Sequence, residues 1–401
     1  MAHPAGAAGM RRGNLFEVLR HVHARSTSNR TELAAATGLS FATVASIVKE
    51  LLAVGVLRET ARERSRGGRP AARIALDPRR GRVVGVDVAE TYIRADLYDV
   101  ALERLRSVRL SLDPADNRVG DVVALIVRAA GEVIGADRAA VLGVGVSVPG
   151  QVDPEGGTSV FAPNWNWHDV PLRDELERDL RLPLVLDNPL KAITTAELWS
   201  GGGRESGDLV VVNLGTGVGI GIAIGGALHR GVTNSAGEWG HSTLDLDGPP
   251  CRCGGAGCVE AFVGAPAILE RWRRAGGEVP PGQEEGIAAL AAAAARDDPA
   301  ALAAVSGTGR YLGAALANLV NIVNPELIVL AGWVGTELGE RLRAVAETEM
   351  KRQALTRPLE AARLRMCAVE GNGVSLGAAT FALEAGVETL LGGPAGAEAQ
   401  R

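Results

Sequence analysis

The sequence is poor in aromatic residues and in cysteine. Phe, Trp and Tyr make up 3% of the 401 residues, and there are four cysteines. Four cysteines in a chain of this length are no disulfide framework of the kind that staples small secreted domains. No run of about 18 uncharged apolar residues occurs, which argues against a membrane-spanning helix. The opening MAHPAGAAGMRRGNLFEVLR lacks an apolar core followed by a cleavage site, so export is not expected. These absences point to a reducing cytoplasm. What is present is 46% apolar residues and 52 glycines. That composition suits an α/β protein with many tight turns, and the length suits two or three domains.

Charge is unevenly spread. Residues 1–82 hold 15 Arg and Lys against 6 Asp and Glu, whereas the rest holds 27 against 41. A basic head on an acidic body suggests that the head meets a polyanion, with a merely solvated basic face as the alternative. Within the head, Leu15, Val18, Leu19 and Val22 recur at helical spacing. SNRTELAAATGLSFATVASIVKELLAVGVL then reads as two helices around a tight turn. Thr31 is the expected cap of the first, Gly38 ends it, and Ser40 caps the second. The second helix buries Val44, Ile47, Val48, Leu51 and Leu52 and turns Phe41, Ala42, Thr43, Ser46 and Lys49 outward. This is the helix-turn-helix pattern, whose second helix enters the major groove; a structural helical hairpin is the alternative.

The next stretch, VLRETARERSRGGRPAARIALD, reads as two short strands with an Arg/Gly-rich tip, the wing of a winged helix. Arg64, Arg66 and Arg69 surround two glycines, and arginine suits the narrow, electronegative minor groove. A flexible basic linker would look similar, but helix pair and wing together favour operator DNA as a partner. The expected contacts are Ser40, Thr43, Ser46, Lys49, Arg66 and Arg69.

The body, residues 83–392, opens with a strand, turn and strand at RVVGVDVAETYIRADLYDV. A second such opening, DLVVVNLGTGVGIGIAIGGALHRG, turns at GTGVGIG. Two related openings predict two lobes with a ligand cleft between them: a small lobe over about 83–195 plus the C-terminal helix, and a large lobe over about 196–370. Residues 393–401 read as a loose tail.

GEWGHSTLDLDGPPCRCGGAGCVE, residues 237–260, concentrates three of the four cysteines. Cys251, Cys253 and Cys258 converge only if the chain turns tightly, and the surrounding prolines and glycines supply the turns. Three thiolates and an imidazole make a closed, structural zinc site, with His241 the fourth ligand. Such a site performs no chemistry; it stiffens a loop and orients its neighbours Glu238 and Glu260. Two fixed glutamates suit vicinal hydroxyls, hence a sugar, with plain surface charges as the alternative. Cys367 stands apart and reads as a buried core residue.

This stretch closely resembles the zinc-and-sugar signature of the ROK family of repressors, open reading frames and sugar kinases, and the resemblance extends over almost the whole chain. It implies an α/β fold in which an N-terminal winged helix-turn-helix precedes a two-lobed, actin-like (ribonuclease H-like) sugar kinase body. It implies zinc on His241, Cys251, Cys253 and Cys258. It implies sugar hydroxyls on Glu238, His241 and Glu260, on Asn164 in APNWNWHDVPL, and on Asn188 in LDNPLKAITTAE.

Three departures bear on function. The family's kinases place an aspartate base after that asparagine; here the position is Pro189, which cannot take a proton. Asp187, two residues earlier, replaces it only if the backbone shifts. The first-strand aspartate, Asp87, is followed by VAET rather than glycines, so side chains crowd a triphosphate and Thr91 alone offers a hydroxyl. The glycine loop Gly215–Gly221 is intact, but the adenosine-side glycine pair reads AGWVG around Gly332 and Trp333. Losing a general base costs about 10²–10⁴-fold in rate. The reading is a cytoplasmic, sugar-responsive repressor with no kinase activity and no catalytic residue, a homodimer or dimer of dimers, gripping DNA through its head. The rivals are an ATP-dependent hexose kinase with a regulatory head and a regulator that answers to a protein rather than a sugar.

Overall fold

A computed structural model describes residues 6–62, 72–113, 117–162 and 165–392. The chain opens with three helices, α1 (Ala7–Arg25), α2 (Arg30–Thr37) and α3 (Phe41–Ala53), and a strand pair, β1 (Leu57–Arg62) and β2 (Ala72–Leu76). Leu15, Val18, Leu19 and Val22 of α1 are buried, as are Leu33 of α2 and Val44, Ile47, Val48 and Leu51 of α3. Leu52, expected inside, is half-buried at the edge of that face.

Helix α2 is capped by Asn29 rather than by the expected Thr31. The Asn29 side chain accepts the N–H groups of Thr31 and Glu32, and the Glu32 carboxylate accepts the Asn29 N–H in return. This reciprocal pair satisfies two end groups at once and moves Thr31 inside the first turn. Gly38, at φ +69°, ends α2, and the Ser40 hydroxyl accepts the Thr43 N–H at the start of α3. β1 and β2 pair antiparallel from Leu57 opposite Leu76. The tip between them, with Arg64, Arg66 and Arg69, lies outside the described residues.

The body continues with β3 (Arg82–Val88), β4 (Tyr92–Asp99), β5 (Arg104–Ser111), α4 (Val119–Ile134), β6 (Val141–Ser147), β7 (Gln151–Asp153), β8 (Thr158–Ala162), β9 (Trp167–Val170), α5 (Leu172–Leu180), β10 (Leu184–Asp187) and α6 (Pro189–Ser200). There follow β11 (Leu209–Leu214), β12 (Val218–Ile224), β13 (Ala227–Leu228), α7 (Glu260–Val263), α8 (Ala265–Arg274), α9 (Gln283–Ala295), α10 (Pro299–Val323), β14 (Leu327–Ala331), α11 (Trp333–Gln353), α12 (Thr356–Ala361), β15 (Arg363–Met366) and α13 (Gly373–Leu390). The alanine-rich stretch is broken once: Asp298 caps α10, with Pro299 at its first position, where a missing N–H costs nothing.

Contacts divide the chain into two units, residues 1–200 with 369–401, and residues 201–368. In the first, the sheet order is β10-β6-β3-β4-β5, with β3 antiparallel to β4 and parallel to β6. Valine-rich β3 and β6 are buried on both faces, as strands covered by helices are. Helix α13 lies so close that a β-carbon on Gly85 or Gly145 would come 1.8 Å from a carbonyl oxygen of Ser375 or Ala378. Only glycine fits at such an approach. The second unit repeats this order when read from its other edge, β15-β14-β11-β12-β13, with β11 antiparallel to β12 and parallel to β14. Each unit has its own apolar core.

The opening helices belong to the first unit. His23 of α1 meets Trp199 of α6 with ring centroids 5.8 Å apart and lies 3.1 Å from the Ser200 hydroxyl. Arg12 of α1 pairs with Glu388 of α13 at 2.6 Å. Arg20, half-buried, loses some basicity to desolvation, partly offset by the nearby carboxylates of Glu17 and Glu384.

Candidate functional site

In the second unit the chain leaves β13, makes a short 3-10 turn at Glu238–His241 and then a tight knot up to α7. Its turns are closed by main-chain bonds, Cys251 N–H to Gly255 at 2.8 Å, Gly254 N–H to Cys251 at 3.0 Å and Gly257 N–H to Pro249 at 2.8 Å. Gly257, at φ +67°, lies where a β-carbon would be 1.6 Å from the Asp245 carbonyl oxygen. A side chain there would open the knot.

The knot brings together His241, Cys251, Cys253 and Cys258, whose ligand atoms all lie within 4.8 Å of one another. The Cys253 and Cys258 sulfurs are 3.7 Å apart, as are the Cys251 sulfur and His241 Nδ1. A disulfide would need about 2.05 Å; two sulfurs on one tetrahedral zinc, each at about 2.3 Å, stand about 3.8 Å apart. Burial and the neighbouring thiols push Cys258 up to about 12, and burial also raises Cys251. Cys253 is lowered, chiefly by the Gly255 N–H. A bound dication would favour the thiolate form of all three. The donor set and its spacing fit zinc. Because Nδ1 faces the sulfurs, Nε2 of His241 is turned to the other side of the ring.

Around this knot, Glu238 and His241 are exposed and Glu260 is buried. Glu260 Oε2 accepts the Val218 N–H at 2.9 Å, and Oε1 accepts Arg252 Nε at 3.0 Å. Arg252, between two of the cysteines, was missed by reasoning on ligand spacing. Cys367, expected in a core, is half-buried just past β15, where its N–H donates to Leu330 at 2.8 Å.

The glycine loop lies between β11 and β12. Gly215 N–H donates to Gly217 at 3.0 Å, and the Thr216 hydroxyl donates to Gln283 at 3.0 Å. Trp333, at the start of α11, presses its indole onto this loop: Nε1 lies 3.0 Å from where a β-carbon on Gly215 would stand.

In the first unit, Asn188 is buried and caps α6, its side-chain oxygen accepting the Lys191 N–H at 3.0 Å. Pro189 is the first residue of that helix, a position its fixed φ favours. Asp187, at the end of β10, is buried and accepts the Asn188 N–H at 2.9 Å. Asn164 lies outside the described residues; the neighbouring Trp165 and Trp167 are buried against each other, centroids 4.8 Å apart. Asp87, at the end of β3, accepts the Tyr92 hydroxyl at 3.0 Å and the Asn372 amide at 2.8 Å. Burial raises its carboxyl against these two bonds. Arg109 lies over the Tyr92 ring at 4.2 Å. Tyr92 and Asn372 are a second pair that local patterns did not reveal, because Asn372 is 285 residues from Asp87.

On the opening helices, Ser40, Ser46 and Lys49 are exposed and Thr43 half-buried. Ser40 and Thr43 hydroxyls are 2.8 Å apart, and Ser46 donates to Glu50 at 3.2 Å. Arg66 and Arg69 lie outside the described residues.

The sequence model of the ROK family matches residues 83–385. The chain belongs to the ROK family. Among its relatives, a xylose repressor from Caldicellulosiruptor bescii is 29% identical over 352 residues, covering 83% of this chain and 86% of the repressor. A ROK-family glucokinase from Streptomyces griseus, solved with glucose and AMPPNP, is 29% identical, with a TM-score of 0.65 over 75% of this chain and 99% of that one. A ROK-family transcriptional regulator described as a homologue of the E. coli MLC protein has a TM-score of 0.77 at 24% identity, over 96% of this chain and 100% of that one. The last likeness establishes the shared fold over nearly the full length of the ROK chain.

Proposed function

We propose that this ROK protein is a sugar-responsive transcriptional repressor whose body binds carbohydrate without phosphorylating it. The observation that carries the reading is Pro189. It stands where the resemblance implies the kinases' aspartate base, and the structure uses it as the first residue of α6. A proline ring accepts no proton, so the attacking hydroxyl has no base there. Two further features agree. Asp87 is tied to Tyr92 and Asn372, and Trp333 lies against the glycine loop; both positions would face phosphates in a kinase of this family.

In this reading zinc is held by His241, Cys251, Cys253 and Cys258 and acts as a structural brace that fixes Glu238, His241 and Glu260. Sugar hydroxyls donate to the two glutamates, with Asn188 and Asn164 as further partners. The helices α2 and α3 and the strand pair β1–β2 form a winged helix-turn-helix that meets operator DNA through Ser40, Thr43, Ser46, Lys49, Arg66 and Arg69. The chain acts as a homodimer, or a dimer of dimers, on two-fold symmetric operators in the cytoplasm. Among the described residues no helix is long and apolar enough to cross a membrane.

Coupling requires that the sugar favour one arrangement of the head. Helix α6 offers a route: Asn188 caps its first turn, and Trp199 and Ser200 at its far end meet His23 of α1. A displacement at the cap moves a 12-residue rod whose other end touches the DNA-binding head.

The test is fluorescence anisotropy with labelled DNA from upstream of the chain's own gene, with D-xylose or D-glucose added at fixed salt, since phosphate contacts make binding salt-dependent. A repressor of this kind changes its DNA affinity about 5- to 150-fold with the right sugar. Lack of DNA binding, or indifference to every sugar, would remove the reading.

A further inference from the structure

The carboxylate on which the sugar reading leans most is already engaged. Glu260 opens α7 and is 7% exposed. A buried carboxylate needs compensating donors; besides the Cys251 sulfur 3.9 Å from Oε1, Glu260 has two of different kinds. The Val218 N–H, at 2.9 Å, belongs to a central strand pair and is fixed by the sheet. Arg252 Nε, at 3.0 Å, sits on a long side chain that is 46% exposed. The guanidinium also covers the backbone of Gly217, 2.9 Å from where a β-carbon would stand. The knot fixes the root of this side chain, because Arg252 lies between Cys251 and Cys253, and its guanidinium end is half-exposed to water.

We propose that Arg252 is a resident competitor for the carbohydrate. Its guanidinium holds Glu260 Oε1 in the sugar-free protein and must leave before a sugar hydroxyl can donate to that oxygen. The inference rests on the sugar-site reading above and adds a residue that sets affinity. The exchange keeps the charge bookkeeping sound: Oε2 retains the Val218 N–H, Oε1 trades one donor for another, and the guanidinium is rehydrated in solvent. The competitor-free state is the binding-competent one, so apparent affinity is reduced by its fractional population. A half-exposed arginine pair is modest and screened by salt. Removing it should therefore tighten sugar binding about three- to tenfold. Were Arg252 instead a sugar ligand, its removal would weaken binding, so the sign of the effect decides.

Calorimetry on the full-length chain, titrated with D-xylose, D-glucose and D-mannose, makes the test. Wild type is compared with Arg252→Ala, Arg252→Lys and Glu238→Ala, with metal content measured for each. The expected results are tighter binding by Arg252→Ala, an intermediate value for Arg252→Lys, and a wild-type affinity that rises with sodium chloride while that of Arg252→Ala does not. If Arg252→Ala sheds its metal, the sign for Arg252→Lys decides. Equal or weaker binding by the arginine variants overturns the competitor. If Glu238→Ala loses binding at the same time, the sugar site itself stands. If no variant binds any sugar, the reading beneath the proposal falls and takes the proposal with it.

Discussion

The two five-stranded sheets share one strand order, yet the ends of their first hairpins differ. In the first unit, the penultimate residue of β3, Asp87, is closed over by Tyr92 and by Asn372 from the cap of α13. In the second, β11 turns into β12 through glycines, and the turn is lined by Glu260, Arg252 and Trp333. The same backbone thus carries a sealed carboxylate at one end and a crowded but glycine-built turn at the other. Strand order is held by extensive apolar burial, whereas a handful of polar side chains decides what each hairpin end can bind. Chemistry can lapse at one end without any cost to the sheet.

The largest expected effect strikes the second unit. Cys253→Ser should abolish metal binding and lower the melting temperature by roughly 10 °C or more, since a structural zinc contributes directly to folding. Metal analysis and a thermal melt check this, and a wild-type chain that carries no metal would break the contrast between a braced and a sealed hairpin end. Next, Glu238→Ala should weaken sugar binding about 10- to 100-fold, the usual cost of losing a charge-assisted hydrogen bond. Because Glu238 is exposed, its melting temperature should stay near that of wild type.

The smallest effect sharpens the first unit. Burial raises the Asp87 carboxyl in the folded state. A raised carboxyl disfavours folding once the unfolded chain ionises, so this cost is absent at low pH and grows as pH rises through the folded value. Asp87→Asn keeps an oxygen for Tyr92 and Asn372 and removes the charge. Its melting temperature should exceed that of wild type by a few degrees at pH 7, and the gain should fade as pH drops towards 4. A large loss at pH 7 would mean that the ionised carboxylate is needed, as a phosphate-side aspartate would be.

How far these features were legible depends on their range in the chain. His241, Cys251, Cys253 and Cys258 lie within 18 consecutive residues, and turn glycines between them leave few ways to fold, so their spacing revealed the knot. Gly38, Ser40 and the buried stripe of α3 followed from helix periodicity. Thr31 and Asn29 are both good caps, and Glu32, three residues after Asn29, decides for Asn29 by closing the reciprocal pair. What sequence could not reveal are contacts made across the fold: Asn372 on Asp87, Trp333 on Gly215, His23 on Trp199. Arg252 is the instructive case. It sits beside the ligands in sequence, but its role depends on where Glu260 and β12 place a carboxylate, which no local spacing encodes. The strands β7, β8 and β9 also escaped notice, being three to five residues long and too short for a period to register.

The central claim is a sugar site kept while its phosphoryl transfer has lapsed. The direct measurement is NMR of a single sample holding the chain, magnesium, ATP and a sugar shown to bind, following sugar signals and phosphorus signals together. The account predicts sugar resonances broadened by binding, with sugar phosphate and ADP no faster to form than in buffer. Steady formation of sugar phosphate that disappears in Asp187→Asn would contradict it, by showing that Asp187 supplies the base that Pro189 cannot.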